Sequence, residues 1–317
     1  MRKGSLEYRP HRRAKRQLPR QRSAPRSEEN IFLGFVAFKA GMTHVMMIDE
    51  SNSPSKGTEV ARAATVLEIP KVFIYGMRFY RKGYAYREIA GEFYDAELAK
   101  KVGIKNPKHD AAEIKKRIKD FEDVTALAFL DASGIGGNKR VMRFEIPVGG
   151  KGVEDKAAFI EQKIGKEVRI SSMVKPGEHI DVTSITKGKG WAGVVKRFGV
   201  ATQVRKATNK VRHVGTLGPW HPAKVMFGVP QAGHMGYNYR TELNKIVLRI
   251  GTPADAQSVM PKGGFINYGL IRNDYAVVDG SIPGPAKRLV RIRKSLRGKG
   301  VAEPKVQYIS TSSKQGV

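Results

Sequence analysis

Three histidines in the central part of the chain, His213, His221 and His234, carry side chains that could act in acid–base catalysis or bind zinc. A hydrolytic site also needs an acid that orients the base, yet no Asp or Glu occurs from Val182 to Thr241. The chain has no cysteine, and the spacing of the histidines matches no zinc signature. Unless carboxylates from another segment complete a site, the pattern predicts neither catalysis nor a metal centre.

The sequence Lys187-Gly188-Lys189-Gly190-Trp191 is similar to part of a phosphate-binding loop. The complete nucleotide-binding pattern ends in Lys followed by Ser or Thr, and that ending is absent. Two ammonium groups on an accessible glycine backbone also suit the phosphates of RNA, so RNA contact is the better interpretation. Trp191 is compatible both with packing at a hinge and with stacking on a base.

Positive charge without acidic compensation characterises residues 182–241, which also hold nine glycines and both tryptophans of the chain. Such charge calls for a polyanion, and an exposed aromatic ring can stack on an unpaired base. Pro219 and Pro222 stiffen the backbone around Trp220, whose ring we expect to point outward. The segment is predicted to be an RNA-binding arm. Besides Lys187–Trp191, its expected contacts are Arg205, Lys206, Lys210, Arg212, Trp220, His221, Lys224, His234 and Arg240.

The overall charge also indicates a nucleic-acid partner. The 317 residues include 58 Lys and Arg against 29 Asp and Glu, a formal charge of +29, which exceeds what solubility requires. No apolar run approaches the roughly 20 residues of a membrane-spanning helix, and the Arg-rich N terminus lacks the apolar segment of a signal peptide. The sequence therefore predicts neither a membrane nor a small-molecule substrate as the partner, and the absence of cysteine favours a cytoplasmic protein.

Residues 1–30 form a second basic segment. They contain ten Lys and Arg against three Glu, with three prolines and almost nothing apolar, so no independent core can form there. Alone, this pattern is as typical of a solvated tail as of an RNA-binding segment. The basic arm in residues 182–241 favours a tail that threads RNA. Its expected RNA contacts are Arg9, His11, Arg12, Arg13 and Arg16.

The remaining sequence predicts a mainly β protein with an α+β insertion. Short β-rich runs separated by Gly, Pro, Ser and Asn, with Val72–Tyr80 among them, are typical of a barrel or a sandwich. We predict that residues 31–90 are the first part of a β-barrel. Acidic residues concentrate in 91–174, the predicted inserted subdomain. Its expected elements are helices at Asp110–Phe121 and Asp155–Lys163 and strands at Val124–Leu130 and Val141–Val148.

Further along, the chain is expected to complete the barrel with strands from both of its ends. Residues 175–199 supply a barrel strand and the glycine-rich loop, and 200–244 form a basic finger-like extension. Residues 245–295 complete the barrel, with Phe265–Ile271 as one of the expected strands, and 296–317 form a basic, polar tail.

Several motifs together resemble one protein family. They are Lys39–Thr43, Val182–Val195, Gly218–Val225 with Gln231–Gly236, and Tyr268–Asp274 leading to Gly280–Pro285. In this order, and nearly end to end, the chain is similar to the universal large-subunit ribosomal protein L-three family in its archaeal and eukaryotic form. It lacks the long basic C-terminal tail of eukaryotic members, which favours an archaeal source.

The resemblance implies a translation-factor-like β-barrel with an inserted α/β subdomain, and a structural function without catalysis. The implied partners are 23S-type rRNA near its 3′ end, where binding would nucleate subunit assembly, and neighbouring proteins that include the universal ribosomal protein fourteen. In relatives, an extension ends close to the peptidyl transferase centre in a tryptophan that matches Trp220. No cofactor is implied, apart from Mg²⁺ or K⁺ on the RNA. The modified glutamine of bacterial relatives and the modifiable histidine of eukaryotic ones match Trp220 and Thr208, so neither modification carries over.

Two other function classes stay open from the residues alone. A transient translation factor or chromatin-type protein would also combine a barrel with basic arms, but it would be substoichiometric to ribosomes and would wash off in salt. An RNA-modifying enzyme would need an acid–base or cofactor site that the sequence does not display.

Overall fold

The computed structural model describes residues 14, 17–20, 23–50, 52–82, 87–104, 117–132, 135, 141–207, 210–298 and 303–313. The chain divides into two compact units. The larger unit comprises Pro19–Ser184 and Thr241–Val317, and the smaller comprises Met1–Leu18 and Ile185–Arg240. Strands far outnumber helices in the described residues, which confirms a mainly β protein.

The described residues form strands β1 (Gly34–Ile48), β2 (Glu59–Ile69), β3 (Val72–Lys82), β4 (Arg87–Tyr94), β5 (Asp123–Asp131), β6 (Val141–Pro147), β7 (Glu167–Val168), β8 (His179–Ile185), β9 (Gly188–Ala192), β10 (Gly233–Gly236), β11 (Tyr239–Gly251), β12 (Asp274–Asp279), β13 (Leu289–Lys294) and β14 (Val306–Ile309). The α-helices are α1 (Ala96–Lys101), α2 (Val153–Lys163) and α3 (Val194–Phe198). Short 3₁₀ helices lie at Ile118–Asp120, Ile170–Ser172 and Pro253–Ser258.

Six strands of the larger unit form a closed cycle of pairings in the order β13-β8-β11-β12-β2-β1, because β1 also pairs with β13. The first half of β1, Gly34–Phe38, pairs with β13, and the strand then pairs with β2 from Phe38 to Ile48. β14 adds to the far end of β1 at Val45–Met47. The first half of β1 is apolar and buried throughout, and burial alternates in its second half. This 15-residue strand can therefore pair with both β13 and β2.

A second sheet in the same unit has the order β4-β3-β5-β6, with β7 also on β3. The prediction that Val72–Tyr80 is a barrel strand is therefore wrong: these residues belong to β3, which pairs with β4, β5 and β7. The sequence pattern identifies a strand but contains no information on its partners. Both sheets contribute to one core that includes Phe35, Leu130 and, from α2, Ile160.

Two other local predictions have different outcomes. The helix predicted at Asp155–Lys163 is confirmed as α2, whereas most of the one predicted at Asp110–Phe121 lies outside the described residues and ends in a 3₁₀ turn. The strand predicted at Phe265–Ile271 is wrong. A tight turn forms instead, because Asn267 and Gly269 adopt positive φ angles of 60° and 108°, which a strand does not accommodate.

A buried ion pair joins four segments of the larger unit. The Asp181 side chain on β8 is 1% exposed and accepts hydrogen bonds at Oδ2 from Arg293 Nε and Nη2 on β13, at 3.1 and 2.9 Å. Its Oδ1 accepts the Asn244 amide of β11 at 3.0 Å. Arg293 Nη1 donates to the Ser23 carbonyl oxygen at 2.8 Å. The segment that contains Ser23 and the strands β8, β11 and β13 are thus tied to one buried charge pair.

Replacing Asp181 with alanine should lower the free energy of unfolding by about 3–5 kcal/mol, because Arg293 would remain as an unpaired buried charge. Asp120→Ala breaks an exposed 3.4 Å pair with Arg117 and should change the free energy by less than about 1 kcal/mol. Denaturant titration of both variants in the same buffer measures the difference. Similar losses for the two variants would contradict the role of the buried pair.

Candidate nucleic-acid interface

The smaller unit is built on a two-stranded sheet of β9 and β10. The register places His234 directly opposite Trp191, and Gly236 opposite Gly188. A Cβ at Gly236 would lie 2.0 Å from the carbonyl oxygen of Lys187, and the residue has a φ of +75°, so only glycine fits there. Two sequence-predicted contacts that lie 43 positions apart, 191 and 234, therefore share one face of a short antiparallel sheet.

The glycine-rich sequence forms an exposed edge of this sheet. Lys187, Lys189 and Gly190 are exposed, and the Trp191 side chain is 79% exposed, whereas His234 opposite it is half-buried. Trp191 is thus no packing residue within the described part of the chain. Its free ring next to two lysines has the composition of a site that stacks on a base and neutralises the adjoining phosphates.

Residues of the N-terminal segment bind to the chain immediately after β10, in the same unit. The Ala14 amide donates to the Tyr237 carbonyl oxygen at 2.8 Å, and Tyr239 Oη donates to the Leu18 carbonyl oxygen at 3.3 Å. Ala14 is buried. The predicted contacts Arg9, His11, Arg12, Arg13 and Arg16 lie outside the described residues. Ala14 and Leu18 nevertheless connect the N-terminal basic segment to Tyr237 and Tyr239, near the end of the acid-free stretch.

Helix α3 places a cation that the sequence analysis missed. Arg197 Nη1 donates to the Gln231 carbonyl oxygen at 2.7 Å, and a Cβ at Gly233 would lie 2.5 Å from the same nitrogen. Burial lowers the pKa of Arg197, but a guanidinium stays protonated at neutral pH. Arg197 therefore holds β10 against the helix while keeping its charge. In the sequence, the glycine at position 233 is the one signal of the contact between Arg197 and this segment.

Four predicted phosphate contacts lie on one loop. The Gln203 amide donates to the Val211 carbonyl oxygen at 2.9 Å, which brings together the two chain segments that carry the cations. All four side chains are exposed: Arg205, Lys206, Lys210 and Arg212. Because residues 182–241 contain no carboxylate, this stretch cannot neutralise them itself.

The segment around Trp220 is apolar as well as basic. Trp220 is 88% exposed, His221 and Lys224 beside it are exposed, and the backbone is fixed by a bond from the Lys224 amide to the Pro222 carbonyl oxygen at 2.6 Å. Other large apolar side chains here are also exposed, and the sequence analysis did not predict them: Leu217, Val225, Met226 and Phe227. Exposed apolar groups at this density mark an interaction site.

The described residues include no group of three or more His, Asp or Glu side chains that could hold a metal ion. Nor do they include a helix of the length and hydropathy that a membrane span requires. What the unit does present is cations, glycine backbone and exposed aromatic rings, which is the chemistry of an RNA-binding surface. The last predicted contact, Arg240, is half-buried at the start of β11 and donates to the Tyr239 carbonyl oxygen at 2.9 Å.

Comparison with known proteins identifies the family of the chain. The family model described as ribosomal protein L3 matches residues 1–316. The chain belongs to the ribosomal protein L3 family. A member from Methanothermobacter thermautotrophicus, named large ribosomal subunit protein uL3, is 42% identical over 330 residues, covering 100% of this chain and 98% of that protein. Proteins of the same name from Methanobrevibacter smithii and Methanothrix thermoacetophila are each 40% identical, with the same coverage.

Membership of the L3 family confirms the resemblance given by the motifs, and the three relatives are archaeal. The structure brings the family motifs together in part. Residues of Val182–Val195 and of Gln231–Gly236 meet in the β9–β10 sheet, whereas the sequence Tyr268–Asp274 belongs to the larger unit. None of the predicted RNA contacts lies in Tyr268–Asp274.

Tryptophan fluorescence tests the exposed rings directly, because Trp191 and Trp220 are the two tryptophans of the chain. In the free protein both should be open to a water-soluble quencher, since 79% and 88% of their surfaces face solvent. Trp191→Phe and Trp220→Phe each isolate the other signal, and each should change stability by less than about 0.5 kcal/mol. A shielded ring in either variant would contradict the described surface.

Proposed function

We propose that the protein is a structural constituent of the large ribosomal subunit, in the cytoplasm, and a primary binder of 23S-type rRNA near its 3′ end. Its relatives are named as proteins of that subunit, and the protein has no catalytic function of its own. The observation that carries the proposal is the stretch of residues 182–241, where exposed cations and two exposed tryptophans occur in sixty residues without one carboxylate.

The proposed mechanism is electrostatic neutralisation with local base stacking. Arg205, Lys206, Lys210 and Arg212 bind phosphates of converging RNA segments, which would otherwise repel one another, and each neutralised phosphate releases counterions. Trp220 stacks on a nucleotide near the peptidyl transferase centre and holds it in place. Peptide-bond formation itself remains the chemistry of RNA.

The larger unit is proposed to be the platform for this arm. A translation-factor-like barrel with an inserted α/β subdomain is supported by the closed cycle of six strands and by the separate second sheet with α2. We propose that residues 1–30 and 200–244 are the RNA-binding extensions, that binding nucleates assembly, and that the neighbours include the universal ribosomal protein fourteen.

Stoichiometry distinguishes this function from that of a transient factor. The protein should co-sediment with large subunits at one copy per particle and should stay bound through moderately high salt. The measurement is quantitative mass spectrometry of gradient fractions, with a known ribosomal protein as the internal standard. A substoichiometric protein that moves to the top of the gradient in the same salt would favour the translation-factor or chromatin-type alternative.

The two kinds of arm residue should respond differently to salt. Arg205→Ala with Lys206→Ala should make the slope of log K against log [salt] for rRNA shallower by about two, because each phosphate contact contributes about 0.9. Trp220→Ala should weaken binding by about 1–3 kcal/mol at every salt concentration and leave the slope unchanged. Filter binding to the 3′ domain of the rRNA measures both, with Lys100→Ala/Lys101→Ala on α1 as the matched charge control. An unchanged slope in the Arg205/Lys206 variant would contradict the proposed phosphate contacts.

A further inference from the structure

A second preformed surface lies in the larger unit, on the loop of residues 261–273. This loop contains the motif that begins at Tyr268, which the arm does not explain. Its backbone is fixed as a closed turn, because the amides of Phe265 and Gly269 each donate to the other's carbonyl oxygen at 3.0 Å. Phe265 is buried, and a Cβ at Gly41 would lie 2.4 Å from its ring, so the turn is packed against β1.

A buried carboxylate holds the second half of this loop. Glu68 on β2 is 2% exposed. Its Oε1 accepts from the amides of Arg272 and Asn273 at 2.9 and 3.0 Å and from Asn273 Nδ2 at 2.8 Å, while its Oε2 accepts from Tyr268 Oη. Burial raises the pKa of Tyr268, which therefore stays a hydrogen-bond donor at neutral pH. Four donors offset the cost of burying the carboxylate and leave the loop one geometry.

The side chains that this geometry turns outward are basic, aliphatic or, at Asn267, a neutral amide. Lys262 and Arg272 are exposed at the two ends of the loop, and Ile266 and Leu270 between them are 43% and 49% exposed. No Asp or Glu occurs in residues 256–273. A Cβ at Gly263 or at Gly269 would meet nothing within 4 Å, so a partner has direct access to the backbone there.

We propose that the 261–273 loop is a second RNA-binding surface, separate from the arm, and that Glu68 is its positioning residue. Lys262 and Arg272 bind two phosphates, and Ile266 and Leu270 pack against the sugars between them. Charge complementarity favours RNA over a protein partner, because an acid-free loop in a chain of charge +29 matches a polyanion. The proposal rests on the proposed function, since the RNA would be that of the large subunit.

Because the chain contains no cysteine, a single introduced cysteine can carry a tethered iron chelate that cleaves nearby RNA with hydroxyl radicals. We would attach it at Ile266→Cys on the loop and at Val225→Cys on the arm, and incorporate both proteins into large subunits. The loop tether should cut the rRNA at a discrete set of nucleotides that differs from the set cut by the arm tether.

The outcomes separate the two proposals. Co-sedimentation of both variants with cleavage from Val225→Cys alone would overturn the loop surface and leave the proposed function intact, as would radical damage confined to a neighbouring protein. Failure of both proteins to enter the subunit, while the unlabelled cysteine-free chain also fails, would overturn the proposed function and the loop surface with it.

The positioning role is tested in the Ile266→Cys background. Glu68→Ala removes the acceptor for all four donors, and the cleavage should become weak and spread over many nucleotides. Glu68→Gln keeps one oxygen for the three donors at Oε1 and should restore the focused pattern. Focused cleavage at the same nucleotides in the alanine variant would overturn the role of Glu68. Tyr268→Phe removes one donor only and should give an intermediate cleavage pattern. This variant tests the role of Glu68 even if Glu68→Ala does not fold.

The loop cations have their own readout. Lys262→Ala with Arg272→Ala should make the salt dependence of rRNA binding shallower by about two in log–log slope, since two phosphate contacts are lost. Lys100→Ala with Lys101→Ala removes the same charge from exposed positions on α1 and should change the slope less. Equal effects of the two pairs would overturn specific phosphate contacts at the loop.

Discussion

Uncompensated positive charge is the constraint on which the rest of this structure depends. From Val182 to Thr241 no carboxylate is present to pair with the cations, and the structure exposes most of these cations to solvent. Side chains in such an arrangement repel one another until an external polyanion binds. The short sheet, the one-turn helix and the glycines of the smaller unit suit a surface whose final environment is RNA.

In the larger unit, by contrast, several cations are paired with carboxylates of the same unit. Charged side chains here have partners within the unit, as in the buried pair of Asp181 with Arg293 and in the partly buried cluster where Arg78 contacts both Glu92 and Glu145. Arg291 is almost completely buried, which lowers its pKa to about 10, yet it lies 5.2 Å from the ring centre of Phe144 and donates to the Glu145 carbonyl oxygen at 2.8 Å. Because these arginines already have partners within the unit, it can fold around a core before RNA is bound.

Sequence patterns predicted much of the local structure and little of the pairing. Short apolar runs bounded by turn residues predicted most of the strands in the six-strand cycle, and apolar residues that repeat on one face predicted helix α2. Strand partners depend on contacts between distant segments, so β3 was assigned to the wrong sheet. At Phe265–Ile271 the apolar residues suggested a strand, whereas Asn267 and Gly269 impose a turn. The exposure of Phe227 was also beyond prediction, because an apolar residue in a sequence looks the same whether it packs in a core or faces a partner.

Ultraviolet crosslinking in cells, with the attached RNA sequenced and peptides of the two units read separately, tests the central claim most directly. We expect crosslinks from the peptide around Trp220 to concentrate in the 3′ domain of large-subunit rRNA, near the peptidyl transferase ring. Crosslinks scattered over messenger RNA, or confined to peptides outside residues 182–241, would contradict the view that rRNA neutralises the acid-free arm.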